Sequence, residues 1–73
     1  MVKDIGETRK GIVIEALPNT MFRIVFEGDE EEDSEIAYLS GRMKRFRIRI
    51  LVGDKVEVKI DEYGGKGRII KRM

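Results

Sequence analysis

At 73 residues the chain has room for one domain, and a domain of this size buries only about 60% of the surface its unfolded chain exposes. It contains no cysteine and no histidine, which removes disulfides, thiolate metal sites, the commonest general base and the best biological nucleophile. A formal net charge of +1 conceals a strong segregation: residues 27–35, EGDEEEDSE, carry seven acids and no base, while residues 42–73 carry eleven bases and four acids.

Residues 1–6 show no period and read as a flexible tail, which leaves residues 7–73 as a single domain. KGIVIEAL, Lys10 to Leu17, is apolar and β-branched and reads as a first strand, with Gly11 marking a sharp bend or bulge inside it. Pro18-Asn19 is a turn signal, so TMFRIVFE returns as the second strand of a hairpin across Leu17–Thr20. Its period of two puts Phe22, Ile24 and Phe26 on one buried face. GDEEED cannot be buried, because its adjacent carboxylates repel, and reads as an exposed loop. SEIAYLS is a short third strand. Ser40 suits the N-cap of one helical turn over GRMKRF. Gly53-Asp54 makes a turn, and Val56, Val58 and Ile60 alternate with Lys55, Glu57 and Lys59 in a fourth strand. YGGKG is a connection, and KGRIIKRM supplies a last short strand.

Five short strands with evenly spaced turn signals predict an all-β chain that closes on itself to leave few edges. A short helical element between the third and fourth strands favours a five-stranded OB-fold, a Greek-key barrel, over an SH3-like barrel.

The stretch RMKRFRIRI, Arg42 to Ile50, places five cations among apolar residues. Read as a strand, it puts Arg45, Arg47 and Arg49 on one face and Phe46, Ile48 and Ile50 on the other. Read as a helical turn running into an extended segment, it points Met43 and Phe46 inward and fans Arg42, Lys44 and Arg45 outward. Either way a row of cations emerges on one side. The last strand adds Lys66, Arg68, Lys71 and Arg72, with Arg68, Ile70 and Arg72 expected on one face. Such clustering is mildly unfavourable for the isolated fold, and a polyanion is its natural complement. The planar fork of arginine suits phosphate. Reading single-stranded bases would need exposed aromatics, and of five aromatics Phe22 and Phe26 look like core. The pattern therefore favours recognition of folded RNA shape.

Catalysis is not expected. Ser34 and Ser40 have no evident base partner, and the acids cluster in a hydrophilic loop. That loop lacks the spaced ligands and terminal bidentate glutamate of an EF-hand, so no metal or other cofactor is expected. The lack of cysteine favours a reducing, cytoplasmic setting. No apolar run approaches the roughly 20 residues that span a bilayer, and MVKDIGETRK lacks the apolar core of a signal peptide, so no membrane partner is expected.

Three blocks taken together, LPNTMFR (Leu17–Arg23), SGRMKRFRIRILVGDKV (Ser40–Val56) and KGRII (Lys66–Ile70), resemble bacterial translation initiation factor one in order and spacing. The resemblance covers roughly Gly11 to Arg72. It implies an OB barrel that acts as a monomer at the decoding A site of the small ribosomal subunit, contacting 16S ribosomal RNA and a neighbouring ribosomal protein. It further implies support of initiation factors two and three. The RNA-facing residues it suggests are Arg42, Lys44, Arg45 and Arg49 in the basic stretch, Lys66, Arg68 and Arg72 near the C-terminus, and Arg23 in the MFR block; Arg47 joins the candidates from the row of cations alone. The chain departs from the family in its long acidic loop, in an aromatic at Phe46 with Arg47 where the family often has the aromatic, and in the short EYGGKG connection. Two other readings stay open: a general OB or cold-shock-like RNA chaperone with stacking aromatics on its sheet, and a protein-interaction module that uses the acidic loop.

Overall fold

The computed structural model describes residues 7–73, so the tail expected at residues 1–6 lies outside the described residues. β1 (Thr8–Leu17) and β2 (Met21–Phe26) form the expected hairpin, with Leu17 opposite Met21. Asn19 and Thr20 adopt left-handed backbone, φ 63° and 56°, to reverse the chain in so short a loop. β3 (Glu35–Leu39) runs antiparallel to β2, and β4 (Lys55–Lys59) antiparallel to β1. β5 (Gly67–Arg72) lies between β3 and β4, parallel to the first and antiparallel to the second. The order β1-β2-β3-β5-β4 closes on itself, so each of the five described strands pairs with a neighbour on both sides. This is the five-stranded OB barrel expected from the sequence.

Alternation fills the barrel. Phe22, Ile24 and Phe26 of β2, Ala37 and Leu39 of β3, Val56 and Val58 of β4, Val13 of β1 and Ile69 of β5 are all buried in one cluster. Two irregularities adjust the wall. β1 shifts register between Val13 and Glu15, so the bulge falls at Ile14 and not at the predicted Gly11. Gly11 instead serves close packing, since a Cβ there would stand 2.6 Å from Ile24 Cγ2 and 2.8 Å from the carbonyl oxygen of Val25. β5 carries one extra residue at Ile70, opposite the step from Glu57 to Val58. That bulge overturns the expectation that Arg68, Ile70 and Arg72 share a face. Arg68 lies opposite Lys59, outside the barrel, while Arg72 lies opposite Val56, in the register of the other face, and is itself exposed.

A single helical turn, α1 (Gly41–Arg45), joins β3 to the long segment that leads to β4. A helix this short has no stability of its own. It is held by the predicted cap, in which Ser40 Oγ accepts the Met43 amide at 3.2 Å, and by Met43, which is fully buried under the barrel. Its carboxyl end is closed by two further bonds. The Arg47 amide donates to the carbonyl of Lys44, and the Ile48 amide donates to the carbonyl of Met43, at 3.1 and 3.0 Å. This is a Schellman motif, and the apolar contact that accompanies such motifs is supplied by Met43 and Ile48, both packed into the core.

The acidic residues 27–35 follow β2 and enter β3 through a 3₁₀ turn at Glu31–Asp33. They lie at the opposite end of β3 from α1, about 13 Å away along the strand. Asp29 is the tethered member, 3.4 Å from Arg9, whose guanidinium also sits 4.6 Å over the Phe26 ring. Among the described residues no three acidic side chains gather to hold a metal ion, and no helix is long and apolar enough to cross a membrane.

Candidate nucleic-acid interface

The structure sorts the nine candidate residues into two groups. The first surrounds α1. Met43 points into the core, so Arg42, Lys44 and Arg45 on the other sides of the same turn are exposed. Arg47 and Arg49 follow on a segment pinned by the inward Ile48 and Ile50, and both point outward. Arg72 reaches this segment from β5 and donates to the carbonyl of Arg49 at 2.9 Å. Arg42, Lys71 and Arg72 rim a groove of about 430 Å³ whose floor is Met43, Ile48 and Ile70. Of the second group, Arg23 and Arg68 lie on the outer wall formed by β2, β3 and β5, and Lys66 stands in the connection just before β5.

Phe46 is not where either sequence reading put it. Both buried it, yet 63% of it is exposed. The Schellman turn explains the difference: after Met43 the chain uses Ile48 as its next anchor, and Phe46, as the C-cap, is carried outward with the cations. Tyr38 and Tyr63 are exposed as well, while Phe22 and Phe26 are in the core as expected from the sequence.

Most of these cations have no internal use. The ion pairs given by the described residues are Arg9–Asp29 and Arg23–Glu15, the latter at 3.0 Å. Arg42, Lys44, Arg45, Arg47, Arg49, Lys66, Arg68 and Arg72 have no carboxylate within ion-pair distance among the described residues. Arg23 thus differs from the other candidates in being ion-paired within the barrel wall. The acidic loop lies farther from α1 than the Debye length of about 8 Å at physiological salt, so it does little to neutralise the cluster. What remains is an outward field of one sign, suited to phosphate.

Arg47 adds a second mark. Its φ of 56° places it at the left-handed position of the Schellman motif, where glycine is the usual residue. A non-glycine residue there costs roughly 1–2 kcal/mol, partly offset by the extra unfolded-state freedom that glycine brings. Arg47→Gly is therefore expected to stabilise the fold by about 0.5–1 kcal/mol. The readout is a rise of a few degrees in melting temperature, since about 1 kcal/mol moves a domain of this size by roughly 4–8 °C.

No protein-family model matches the chain. Its sequence relatives are informative. It is 43% identical over 65 residues to the chloroplastic translation initiation factor IF-1 of Illicium oligandrum, spanning 88% of this chain and 81% of that one. It is 46% identical over 65 residues to the chloroplastic IF-1 of Dioscorea elephantipes, spanning 88% of this chain and 80% of the relative. Among solved structures, the translation initiation factor IF-1 from the Wolbachia endosymbiont (strain TRS) of Brugia malayi superposes with a TM-score of 0.72 and 34% identity, over 92% of this chain and 77% of that one. A part of YjeQ from Thermotoga maritima matches with the same TM-score of 0.72 and 29% identity, over 92% of this chain but only 23% of YjeQ.

Proposed function

The chain belongs to the translation initiation factor IF-1 family, whose role is in translation initiation and not catalysis, and from that premise we propose that it binds the small ribosomal subunit at the decoding A site through phosphates of 16S ribosomal RNA. Arg42, Lys44, Arg45, Arg47 and Arg49 provide the main contact, with Arg72 completing the groove beside them. The neighbouring ribosomal protein takes part of the remaining surface, and the bound factor assists initiation factors two and three. The observation that carries this reading is the exposed turn α1, three cations held in place by the buried Met43, with no carboxylate among the described residues to satisfy them. Holding these cations out on a capped turn restricts them before any ligand arrives, which lowers the ordering cost of binding. The acidic loop, at the far end of β3, is turned away from the RNA.

Co-sedimentation with small subunits across a salt series tests the reading. If about five phosphates are engaged, the logarithm of the binding constant should fall with that of salt at a slope of about −3 to −5. Subunits should be preferred over a free single-stranded RNA. A stronger preference for the free strand would favour the chaperone reading. Loss of the main interaction on neutralising residues 29–33 alone would favour a protein-interaction module. Arg47→Gly, though more stable, should bind subunits several-fold more weakly, because the backbone turn remains while the guanidinium is gone.

A further inference from the structure

The turn predicted at Gly53-Asp54 carries two side chains that neither the core nor the cationic contact uses. The Asp54 amide donates to the carbonyl of Leu51 at 3.0 Å, and the Leu51 amide donates to Asp54 Oδ2 at 2.8 Å, so residues 51–54 close on themselves. Gly53 takes the left-handed position, φ 96°. β1 clamps the turn from behind. The Gly53 amide donates to the carbonyl of Val13 at 2.8 Å, and the Val13 amide donates to the carbonyl of Asp54 at 3.0 Å. Two residues thus face one, with a left-handed glycine first, which is a G1 bulge. Val13 is fully buried, so the turn is anchored to the core. Leu51 and Val52 occupy its first two positions and are 56% and 61% exposed. Polar residues or proline are the usual occupants of such positions. The result is an apolar tip on a rigid mount.

We propose that Leu51 and Val52 form a protein-docking knob, which enters an apolar pocket rimmed by carboxylates on a protein lying beside the bound RNA. The inference rests on the subunit-binding reading and goes beyond it by giving the protein contact its residues and its chemistry. Aliphatic side chains gain nothing from a phosphate and offer no ring on which a base can stack, so RNA does not account for them. An apolar pocket does, because it removes their surface from water. The rim follows from charge. Arg49, two residues before the knob, and Lys55, just after the turn, are exposed and have no ion-pair partner among the described residues. The carboxylate of the turn itself, Asp54, is engaged by the Leu51 amide. Chain length sets the location. At most about 7 Å of backbone separates Arg49 from Leu51, so RNA held by the basic stretch brings whatever flanks it against the knob. Fixed by its hydrogen bonds, the turn gives up little freedom on docking.

In co-sedimentation, Leu51→Ser combined with Val52→Ser is expected to weaken small-subunit binding about 10–50-fold while keeping the salt slope of the parent. An apolar contact releases no counterions, so the unchanged slope separates the knob from the phosphate contacts. Leu51→Met combined with Val52→Ile keeps the apolar tip and should keep the affinity. Both sites are more than half exposed, so the melts of both variants should match the parent's. A benzophenone amino acid in place of Val52 identifies the partner directly. Irradiated on the subunit, it should join a protein, giving a product that survives ribonuclease, and the joined peptide should carry acidic residues beside apolar ones. Unchanged binding in the serine variant overturns the knob, as does an equal loss in the methionine–isoleucine variant, a flattened slope, or a cross-link to RNA alone. A joined peptide without carboxylates overturns the acidic rim. Pelleting with phosphatidylserine vesicles, abolished in the serine variant, would assign the tip to a lipid surface and overturn the protein pocket. Failure of the parent to bind subunits strikes the A-site reading and the knob with it, whereas intact parent binding with an inert knob strikes only the knob.

Discussion

Replacing Arg42, Lys44 and Arg45 together by alanine is expected to weaken small-subunit binding on the order of 100-fold near physiological salt. Each side chain is exposed, projects from one short turn, and lacks a carboxylate partner among the described residues. Three phosphate contacts at about 1 kcal/mol each amount to roughly that factor, since every 1.4 kcal/mol is tenfold. The salt dependence should change with the affinity. Losing three contacts should flatten the log–log slope by about 2–3, because each neutralised phosphate contributes roughly 0.7–0.9. The fold should be spared. Substitutions at exposed positions without partners usually lie within about 0.5 kcal/mol, alanine is a better helix former than either residue, and like-charge repulsion is relieved. An unchanged or slightly raised melting temperature, together with the lost binding, would locate the effect in the interface. A variant that bound subunits as the parent does, at the same slope, would remove α1 from the RNA contact.

The barrel was legible in the chain because its signals are local. Phe22, Ile24 and Phe26 alternate over one strand, Val56 and Val58 over another, and Ser40 stands one residue before the turn it caps. The interface was legible only as a quantity of charge. Where Phe46 goes depends on how α1 ends, and the usual glycine signal is missing because Arg47 occupies the left-handed position. The available clue was the five-residue spacing of Met43 and Ile48, which matches the apolar pair of a Schellman motif. The second group of cations had no local signature at all. Tyr38 and Arg68 are brought together by the parallel pairing of β3 and β5, and Arg72 is set on a different face from Arg68 by an extra residue in β5. Long-range register decided those positions, and no window of sequence contains it.

Gly11 shows how closely the site depends on the barrel's closure, and Gly11→Val is expected to unfold most of the protein at room temperature. The glycine pairs with Phe26 of β2 on one side and Val56 of β4 on the other, at the seam where the sheet rejoins itself. A side chain there has nowhere to go. Its first carbon would meet Ile24 Cγ2 at 2.6 Å, the Val25 carbonyl oxygen at 2.8 Å and Phe26 Cδ1 at 3.1 Å. Ile24 is fully buried and stiff at χ1, and a backbone carbonyl cannot move without its strand. Overpacking of this kind costs about 1–3 kcal/mol for one added carbon, and valine adds three. A small domain has only about 5 kcal/mol to lose. Gly11→Ala should accordingly lower the melting temperature by roughly 10 °C or more, and Gly11→Val should leave little cooperative transition in a thermal melt. Gly41→Ala is the control. Its added carbon meets nothing within 4 Å and joins the start of α1, so its melt should match the parent's. Equal melts for the two alanine variants would mean that the seam can open to admit a side chain. In that case the register that sets Arg72 against Arg49 and Arg68 against Tyr38 would not be fixed by close packing at Gly11.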